Sequence, residues 1–318
     1  FTYDGIEAHL PGVAINALRR FPIYRYPGAP PRPCDNAAEN EENDRVETED
    51  KLRTENSDFP LRKKQLDSEL AASMPAAVQR ASSSMKISLN DLRKAYRQFP
   101  SGHPGATVVA IWNPRAKKVE FFLVFGMPFG LVSSVLQFNR PMEFMQAAMR
   151  IFLAIPCAHY FDDWICASIT RFAKSDDVSL RKFVTQVIKC WLDDDKHMGP
   201  GDVRDVLGVR YDLTQLPRGV LIIRVKPERK EKITAMIDDM ESSQQCSHAT
   251  AATFRGKVYF TCTQAFGRAG RAPLQSFVHR QYSAETQITE GMASSLKFFR
   301  AFISHIDDIP RRVSFQVD

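Results

Sequence analysis

The sequence has few cysteines, no internal repeat and no unbroken apolar segment long enough to cross a membrane. Its six cysteines form no C-x-x-C pair and no dense framework, which excludes a disulfide-stapled scaffold and a cysteine zinc site. We therefore expect reduced thiols and an intracellular protein, in the nucleus or the cytoplasm. The most apolar segment, 119–138, is interrupted by charged, polar and turn-forming residues. It is expected to form a buried strand, a turn and a helix, and no membrane contact is expected.

The N-terminal residues show neither an initiator methionine nor a basic segment followed by an apolar one. We expect no signal peptide, and a chain that is a fragment or a processed form. The 318 residues are 44% hydrophobic and 25% charged, which is typical of a folded protein with two or three subdomains. This composition excludes a disordered or coiled-coil protein.

Carboxylates are absent from 43 consecutive residues, 242–284, although this segment contains five lysines and arginines. The opposite holds for residues 35–50, where eight acids and one arginine give a local charge of −7. Because the whole chain carries +6, the rest of it carries the difference, +13. The carboxylate-free segment can lie along a phosphate backbone without repulsion. Composition alone still favours a helical subdomain whose cations simply face solvent.

Periodicity predicts strands and helices in mixed order, followed by helices alone. Residues 1–60, which are rich in proline and then acidic, are expected to form a poorly organised tail or linker. Strands are expected just before residue 91, at 108–112 and 119–125, on both sides of 162–163, and at 205–211 and 220–225. Helices are expected at 60–74, 133–152, 178–192, 228–241, 249–267, 272–282 and 290–305. The second helix should begin at a Ser133 or Ser134 cap and kink at Pro141, and the third should bury Val187 and Trp191.

Two adjacent aspartates, Asp162 and Asp163, stand between apolar residues in the segment 159–165 (HYFDDWI). Neighbouring carboxylates raise each other's pKa unless a cation neutralises them, so a divalent metal ion is a natural partner. A Y-x-D-D string also arises by chance in roughly one chain of this length in thirty, and a solvated Asp-Asp turn is the simpler explanation. Asp91, at the end of an expected strand, could add a third carboxylate and complete an oxygen-lined site for Mg²⁺ or Mn²⁺.

A series of motifs in this order resembles the successive motifs of reverse transcriptases, and most closely those of retroelements in protist genomes. The motifs are 91–98 (DLRKAYRQ), 111–114 (IWNP), 127–131 (MPFGL) leading to 138–140 (FNR), 160–163 (YFDD), 206–209 (VLGV), 254–257 (FRGK) and 267–271 (GRAGR). The resemblance runs from about Lys51 to Arg312. It implies an α+β, right-hand polymerase with fingers, a palm containing an antiparallel sheet, and a helical thumb. The expected divisions are 1–50 as the N-terminal segment, 51–226 as fingers and palm, and 227–318 as thumb or connection.

The resemblance also implies a role for each residue that matches a motif. Asp91 and Asp162 would bind two Mg²⁺ or Mn²⁺ ions, supported by Asp163. Tyr96 would lie under the incoming sugar as a steric gate against a 2′-hydroxyl, and packing within the palm is an equal alternative. Lys196 would lie near the triphosphate, although a solvated lysine balancing the acids at 193–195 is the stronger alternative.

Further substrate and nucleic-acid contacts follow in the same way. Phe129 and Gly130 would border the nascent base pair, although a plain tight turn explains Gly130 almost as well. Lys51 and Arg53 are the best counterparts of bases that hold the dNTP. Leu207 and Gly208 resemble the primer grip, and the thumb cations that would bind phosphates are Arg255, Lys257, Arg268 and Arg271. The implied partners are an RNA or DNA template-primer, dNTP and a larger ribonucleoprotein or protein assembly.

Two departures from the family pattern leave other functions open. The segment after Lys51 and Arg53 does not continue the family's motif, and Pro141 interrupts a helix that the family builds from helix-forming residues. A repurposed, non-catalytic nucleic-acid-binding or scaffold protein is therefore the first alternative. A metal-dependent nuclease is the second, and it would leave Tyr96 and the basic thumb unexplained.

Overall fold

A computed structural model of the chain describes residues 1–24, 27–39, 41, 43–47, 51–52, 54–102, 107–266, 270–308 and 310–315. The helices within these residues are α1 Tyr3–His9, α2 Phe59–Ala72, α3 Ala76–Ser82, α4 Val132–Phe152, α5 Ala173–Lys182, α6 Pro227–Ser243, α7 His248–Phe266, α8 Gln275–Arg280 and α9 Glu290–Ser304. The strands are β1 Leu18–Ile23, β2 Arg32–Asn36, β3 Met85–Asp91, β4 Val108–Asn113, β5 Lys118–Leu123, β6 Cys157–Tyr160, β7 Asp163–Ile169, β8 Met198–Gly201, β9 Val203–Val206, β10 Val209–Asp212, β11 Val220–Val225 and β12 Arg311–Ser314. The predicted α+β class is confirmed.

The strands form three four-stranded sheets with the orders β2-β1-β4-β5, β6-β7-β3-β8 and β12-β11-β10-β9. The β1–β4 pair is parallel, and the other pairs with a defined register are antiparallel. The chain divides into two compact units. The first comprises 1–55, 90–164 and 178–197, and the second comprises 56–89, 165–177 and 198–318.

The N-terminal residues are more ordered than their composition predicts. Residues 18–23 and 32–36 form β1 and β2, which pair with Pro22 opposite Pro33. Proline lacks the N–H that a central strand needs, but β2 lies at the edge of its sheet, where that donor is dispensable. The expectation of a poorly organised tail is therefore wrong for these residues.

The β4–β5 hairpin and α4 lie where the sequence predicts them. The Asn113 side chain accepts hydrogen bonds from the N–H groups of Arg115 and Ala116 and closes the hairpin turn. The N-cap of α4 is Leu131, without a side-chain bond, so the predicted serine cap is wrong. The helix continues through Pro141 to Phe152.

The segment 178–192 differs from the predicted amphipathic helix. Helix α5 ends at Lys182 and is followed by a π-helical turn at Phe183–Val187. A π turn contains more residues than an α turn, so the positions after it rotate away from the predicted face. Val187 and Trp191, expected inside, are 66% and 69% exposed.

The second unit has a helical core beside the β9–β12 sheet. Helices α6 to α9 bury a cluster that includes Ile237, Phe254, Phe277 and Phe299. The strand predicted at 205–211 is instead two strands, because positive φ angles at Leu207 (46°) and Gly208 (88°) reverse the chain.

All six cysteines are reduced thiols outside any disulfide bond, and five of them are buried. In the part of the chain that the structure describes, no helix is sufficiently long and apolar to cross a bilayer.

Candidate active site

Three aspartates come together within the first unit because a strand end meets a hairpin turn. Strand β3 ends at Asp91, and the β6–β7 hairpin reverses at Phe161, where φ is 52°. The N–H of Leu92 donates a hydrogen bond of 3.1 Å to the carbonyl oxygen of Asp162. This bond fixes the end of β3 beside the turn that carries Asp162 and Asp163.

The three carboxyl groups interact electrostatically. Asp91 is buried, Asp162 is half-buried and Asp163 lies at the exposed rim. Although Asp163 as a whole residue is exposed, neighbouring protein displaces water from its carboxyl group and raises its pKa. The charges of Asp162 and Asp91 and a hydrogen bond to the Asp91 side chain raise this pKa further. The pKa of Asp162 is also raised, mainly by burial and in addition by the charge of Asp91. The cluster therefore holds more negative charge than its surroundings neutralise.

Lys196 is the cation of this cluster. The segment that carries Lys196 pairs with the end of β3. Leu192 forms an isolated β-bridge with Leu92, and the N–H of Asp193 donates a hydrogen bond of 2.8 Å to the carbonyl oxygen of Asp91. The Lys196 ammonium then lies 2.7 Å from Oδ1 of Asp91 and 3.9 Å from Oδ2 of Asp193. Lys196 thus belongs to the cluster and is not merely a solvated partner of the acids at 193–195.

The chemistry of the cluster matches a hard divalent cation. Its donors are carboxylate oxygens, which Mg²⁺ and Mn²⁺ prefer, and its raised pKa values show a site that a further cation would relieve. Among the described residues, no set of three acidic, histidine or cysteine side chains is arranged to hold a metal ion. The ammonium of Lys196 occupies one oxygen of Asp91 in this arrangement. Metal binding stays a prediction.

Tyr96 stands between the carboxylates and two aromatic rings. Its ring stacks on Phe138 at 4.4 Å and meets Phe129 edge-on at 5.5 Å. Burial, and then the charge of Asp162, raises the pKa of Tyr96 to about 12. The hydroxyl is therefore a protonated group near Asp162, and both the packing role and the gate role fit this position.

The turn at Phe129 and Gly130 is held by the N-terminal segment. The N–H of Phe129 donates to Oδ2 of Asp35 at 3.1 Å, and the N–H of Asp35 donates to the Phe129 carbonyl at 3.1 Å. Asn43 accepts from the N–H of Val132 and donates to the Gly130 carbonyl. Gly130 has φ 116°, and a Cβ there would clash with the Asp35 carbonyl oxygen, so the close approach at this glycine is to protein backbone.

Asp35 is the principal residue that the sequence did not reveal. Its carboxylate is fully buried and binds Arg20, at 2.6 and 3.0 Å, and Arg97, at 3.0 Å. Nothing in the sequence distinguishes Asp35 from the other seven acids of the run. We call Asp35, Arg20 and Arg97 the Asp35 network. Asp35 binds the backbone N–H of Phe129, and the ring of Phe129 packs edge-on against Tyr96.

The two bases expected to hold the triphosphate are not part of the described cluster. Lys51 is exposed in the segment before α2 and forms no ion pair with a described residue. Arg53 lies outside the described residues.

The primer-grip-like turn lies in the second unit and has its own cation. Leu207 and Gly208 both have positive φ, and a Cβ on Gly208 would clash with the guanidinium of Arg229. That guanidinium lies 4.1 Å from the centre of the Phe260 ring. Asp205 forms ion pairs with Arg210 and Lys226, and within the described part of the chain Arg229 forms no ion pair. No motif in the sequence marked Arg229.

The expected thumb cations lie on different faces. Arg255 and Lys257 are two residues apart on α7, so their side chains leave the helix about 200° apart. Arg255 donates to Gln281 at 3.1 Å, and Arg271 lies 5.9 Å from the ring of Tyr259. Lys257 shares the face of Phe260, three residues on. Arg268 lies outside the described residues.

Comparisons with known proteins identify the fold. No protein-family model and no curated protein matches the sequence. Among solved structures, the chain is similar to a foamy viral protease-reverse transcriptase, dRH, in complex with double-stranded DNA, with TM-score 0.62 and 13% identity over 92% of this chain and 44% of that one. The foamy viral protease-reverse transcriptase in complex with an RNA/DNA hybrid has a TM-score of 0.61 and 13% identity, over 92% of this chain and 34% of that one. The same enzyme in complex with double-stranded DNA has a TM-score of 0.60 and 13% identity, over 96% of this chain and 55% of that one.

The chain thus spans about a third to just over half the length of these enzymes. Its α+β fold is similar to that of reverse transcriptase polymerase domains.

Proposed function

We propose that this chain catalyses template-directed DNA synthesis, transferring a nucleotide from dNTP to a primer 3′-hydroxyl with an RNA template preferred. The observation that carries the proposal is the meeting of Asp91, Asp162 and Asp163 beside Tyr96 and Lys196 in the first unit. The motif order supports a retroelement polymerase of the kind in protist genomes. Its reduced, mostly buried thiols support an intracellular site of action.

Asp91, Asp162 and Asp163 would hold two Mg²⁺ or Mn²⁺ ions. When bound, such a pair activates the attacking hydroxyl and stabilises the charge of the leaving pyrophosphate. The protein itself orients the substrates. The Tyr96 ring, fixed against Phe138, would lie under the sugar, and Phe129 and Gly130 would border the base pair.

Lys196 has a second role in this proposal. Its side chain is 53% exposed, and among the described residues its ammonium is held only by carboxylates, so it can leave Asp91 and bind the triphosphate when substrate enters. In the second unit, the turn at Leu207 and Gly208, with Arg229 and Lys257 on one face, would bind primer phosphates.

The nucleic-acid partner is supported by the similar structures, which are complexes of the foamy viral enzyme with double-stranded DNA or an RNA/DNA hybrid. We propose a template-primer duplex as the partner of this chain, with dNTP as its substrate. A larger ribonucleoprotein or protein assembly remains part of the proposal.

The alternative is a repurposed, non-catalytic protein that binds nucleic acid or acts as a scaffold. The observation that favours it is the ion pair of Lys196 with Asp91, together with the absence, among described side chains, of an arrangement ready to hold metal. A scaffold would bind template-primer without needing Asp162.

Primer extension separates the two functions. Oligo(dT) on poly(rA) is extended with Mg²⁺ or Mn²⁺ by the wild type, by Asp162→Asn and by Asp195→Asn, an exposed acid outside the cluster. We expect extension by the wild type and Asp195→Asn and a loss of more than about a hundredfold in Asp162→Asn. No extension by folded wild type that binds the duplex supports the scaffold, and equal extension by Asp162→Asn refutes the site.

A substrate-selection assay tests Tyr96. Tyr96→Ala removes the ring beneath the proposed sugar position and should increase rNTP incorporation relative to dNTP. Tyr96→Phe keeps the ring and should retain the selectivity of the wild type. An unchanged ratio in Tyr96→Ala would leave Tyr96 with a packing role only.

A further inference from the structure

A groove on the β2-β1-β4-β5 sheet takes no part in the proposed chemistry. It has a volume of about 620 Å³, within the range of about 300–1,000 Å³ that is typical of ligand pockets. The groove lies where β1 runs parallel to β4 and β4 pairs with β5. Its lining includes Phe21, Pro22, Trp112, Pro114 and Val119, and the described lining residues include no acid.

The groove presents an aromatic ring to solvent. Trp112 is 59% exposed, and its cross-strand neighbour Val119 is 47% exposed. Within the described residues, both tryptophans outside the groove lie elsewhere in the first unit: Trp164 is fully buried and Trp191 is 69% exposed. An exposed indole over an apolar floor is a surface on which a flat ring can stack.

A positively charged loop adjoins the groove at Pro114, which is part of the lining. The hairpin segment 114–118 (PRAKK) carries Arg115, Lys117 and Lys118 and no acid, and Lys118 lies on the sheet face opposite to that of Val119. All three are exposed, and none forms an ion pair with a described residue. Arg19, at the groove wall, forms a 2.8 Å ion pair with Glu39 in which both side chains are about half exposed or more. A ligand with spaced negative charges would therefore find several available cations.

We propose that this groove binds unpaired nucleotides of a single-stranded nucleic acid, with a base stacked on Trp112 and adjoining phosphates paired with Arg115 and Lys117. An exposed aromatic ring beside cations, with no acid among the described lining residues, selects this occupant, because an apolar peptide or a second copy would not need the charges of Arg115 and Lys117. The inference rests on residues other than the carboxylate cluster. It adds a single-strand site to the duplex partner of the proposed function.

Tryptophan fluorescence tests whether a base reaches the groove. In Trp191→Phe, the remaining tryptophans are Trp112 and the fully buried Trp164. An oligo(dT) of about 12 nucleotides should quench the exposed emission of this variant. In Trp112→Phe, which keeps Trp191, the same oligonucleotide should produce little quenching. Quenching that persists in Trp112→Phe and is absent from Trp191→Phe would overturn the proposal.

Affinity measurements test the energetic contribution of the ring. Anisotropy of a labelled oligo(dT) should show roughly 5- to 150-fold weaker binding for Trp112→Leu, which keeps apolar bulk but loses the π face. Trp112→Phe keeps a ring and should recover part of the loss. Equal affinities for wild type and Trp112→Leu would refute the stacking role.

A matched pair of double variants tests the cations. Arg115→Gln with Lys117→Gln removes two charges of the loop beside the groove, and Arg80→Gln with Lys174→Gln removes two exposed charges elsewhere. The first should reduce the slope of log affinity against log salt by roughly 1.4, since each single-strand phosphate contact contributes about 0.7. The second should leave the slope unchanged. Equal slopes in both would overturn the phosphate assignment.

Two further measurements distinguish a single-strand site from a self-association surface and from the carboxylate cluster. Self-association that Trp112→Leu abolishes, without an effect on oligonucleotide binding, would assign the groove to a second copy and refute our inference. Asp195→Asn, an exposed acid outside the cluster, should bind oligo(dT) like the wild type. Oligo(dT) binding at Trp112 by a wild type that extends no primer would support the groove and refute catalysis, so a failed primer-extension assay and a failed groove assay remain distinguishable.

Discussion

Replacing Asp35 by asparagine should destabilise the first unit strongly. The carboxylate is fully buried and accepts four hydrogen bonds: two from Arg20, one from Arg97 and one from the N–H of Phe129. Asparagine keeps the shape and one acceptor oxygen but removes the charge that both guanidinium groups share. The pKa of Arg97 is already lowered, first by burial and then by the charge of Arg20, which shows that the two cations repel.

The expected loss follows from the burial of the three groups. Removing one partner of a buried ion pair costs about 3–5 kcal/mol. The Arg20 and Arg97 side chains retain 17% and 23% exposure, so water screens part of the repulsion and we expect about 3 kcal/mol. Glu39→Gln is the matched control, because Glu39 pairs with an arginine of the same strand at 2.8 Å but is 48% exposed. Its loss should stay below about 1 kcal/mol.

Urea unfolding followed by tryptophan fluorescence measures this difference. All three tryptophans lie in the first unit, so their emission follows the unfolding of that unit. The free energy of unfolding should fall about 2 kcal/mol further in Asp35→Asn than in Glu39→Gln. Equal losses of unfolding free energy in the two variants would refute the Asp35 network as a stabilising element. Residues 32–36 would then contribute little to stability, as their composition predicts.

Four other predictions concern the turn, the cluster and the second unit. Gly130→Ala should lower the free energy of unfolding in urea by about 2 kcal/mol or more, and Gly28→Ala by only about 1 kcal/mol. Both glycines have positive φ, but only at Gly130 would a Cβ clash with a carbonyl oxygen, so equal losses would contradict the clash. Mn²⁺ affinity measured by calorimetry should fall from pH 8 to pH 6, since the raised pKa of Asp163 means that acid protonates a ligand, and a flat profile would exclude Asp163 from the site. Lys196→Gln should raise Mn²⁺ affinity up to about fivefold by removing a competing ammonium, whereas weaker binding would mean that Lys196 supports the site. Arg229→Ala should lower the salt slope of duplex binding by about 0.9, and an unchanged slope would place no phosphate at Arg229.

The sequence predicted those features that depend on local patterns. Two β-rich segments around a polar, turn-forming loop located the β4–β5 hairpin, and helical spacing located α4 and α6 to α9 within a few residues. The acidic pair at 162–163 fell in a hairpin turn next to the end of β3, as expected. These features are set by residues a few positions apart, so their signal is present in the sequence itself.

The features that escaped prediction depend on contacts between distant residues. Asp35 pairs with Arg97, 62 residues away, and no local pattern marks one acid in eight as buried. Pro22 and Pro33 signal a loop by composition, yet Pro33 lies on an edge strand and Pro22 lies on β1 beyond the residues that pair with β4, so both fit a strand. The π turn after Lys182 and the left-handed Leu207 are local irregularities that periodicity averages away.

The bond between Asp35 and Phe129 also has a consequence for synthesis of the chain on the ribosome. Phe129 is made 94 residues after Asp35, which at roughly 5–20 residues per second is a delay of about 5–20 s. For the first 62 residues of that interval β2 has neither Arg97 nor the turn at Phe129 to pair with, and for the rest of it β2 still lacks the turn. The acidic residues that follow Asp35 keep the waiting strand charged and hydrated, which discourages pairing of its edge with another nascent chain.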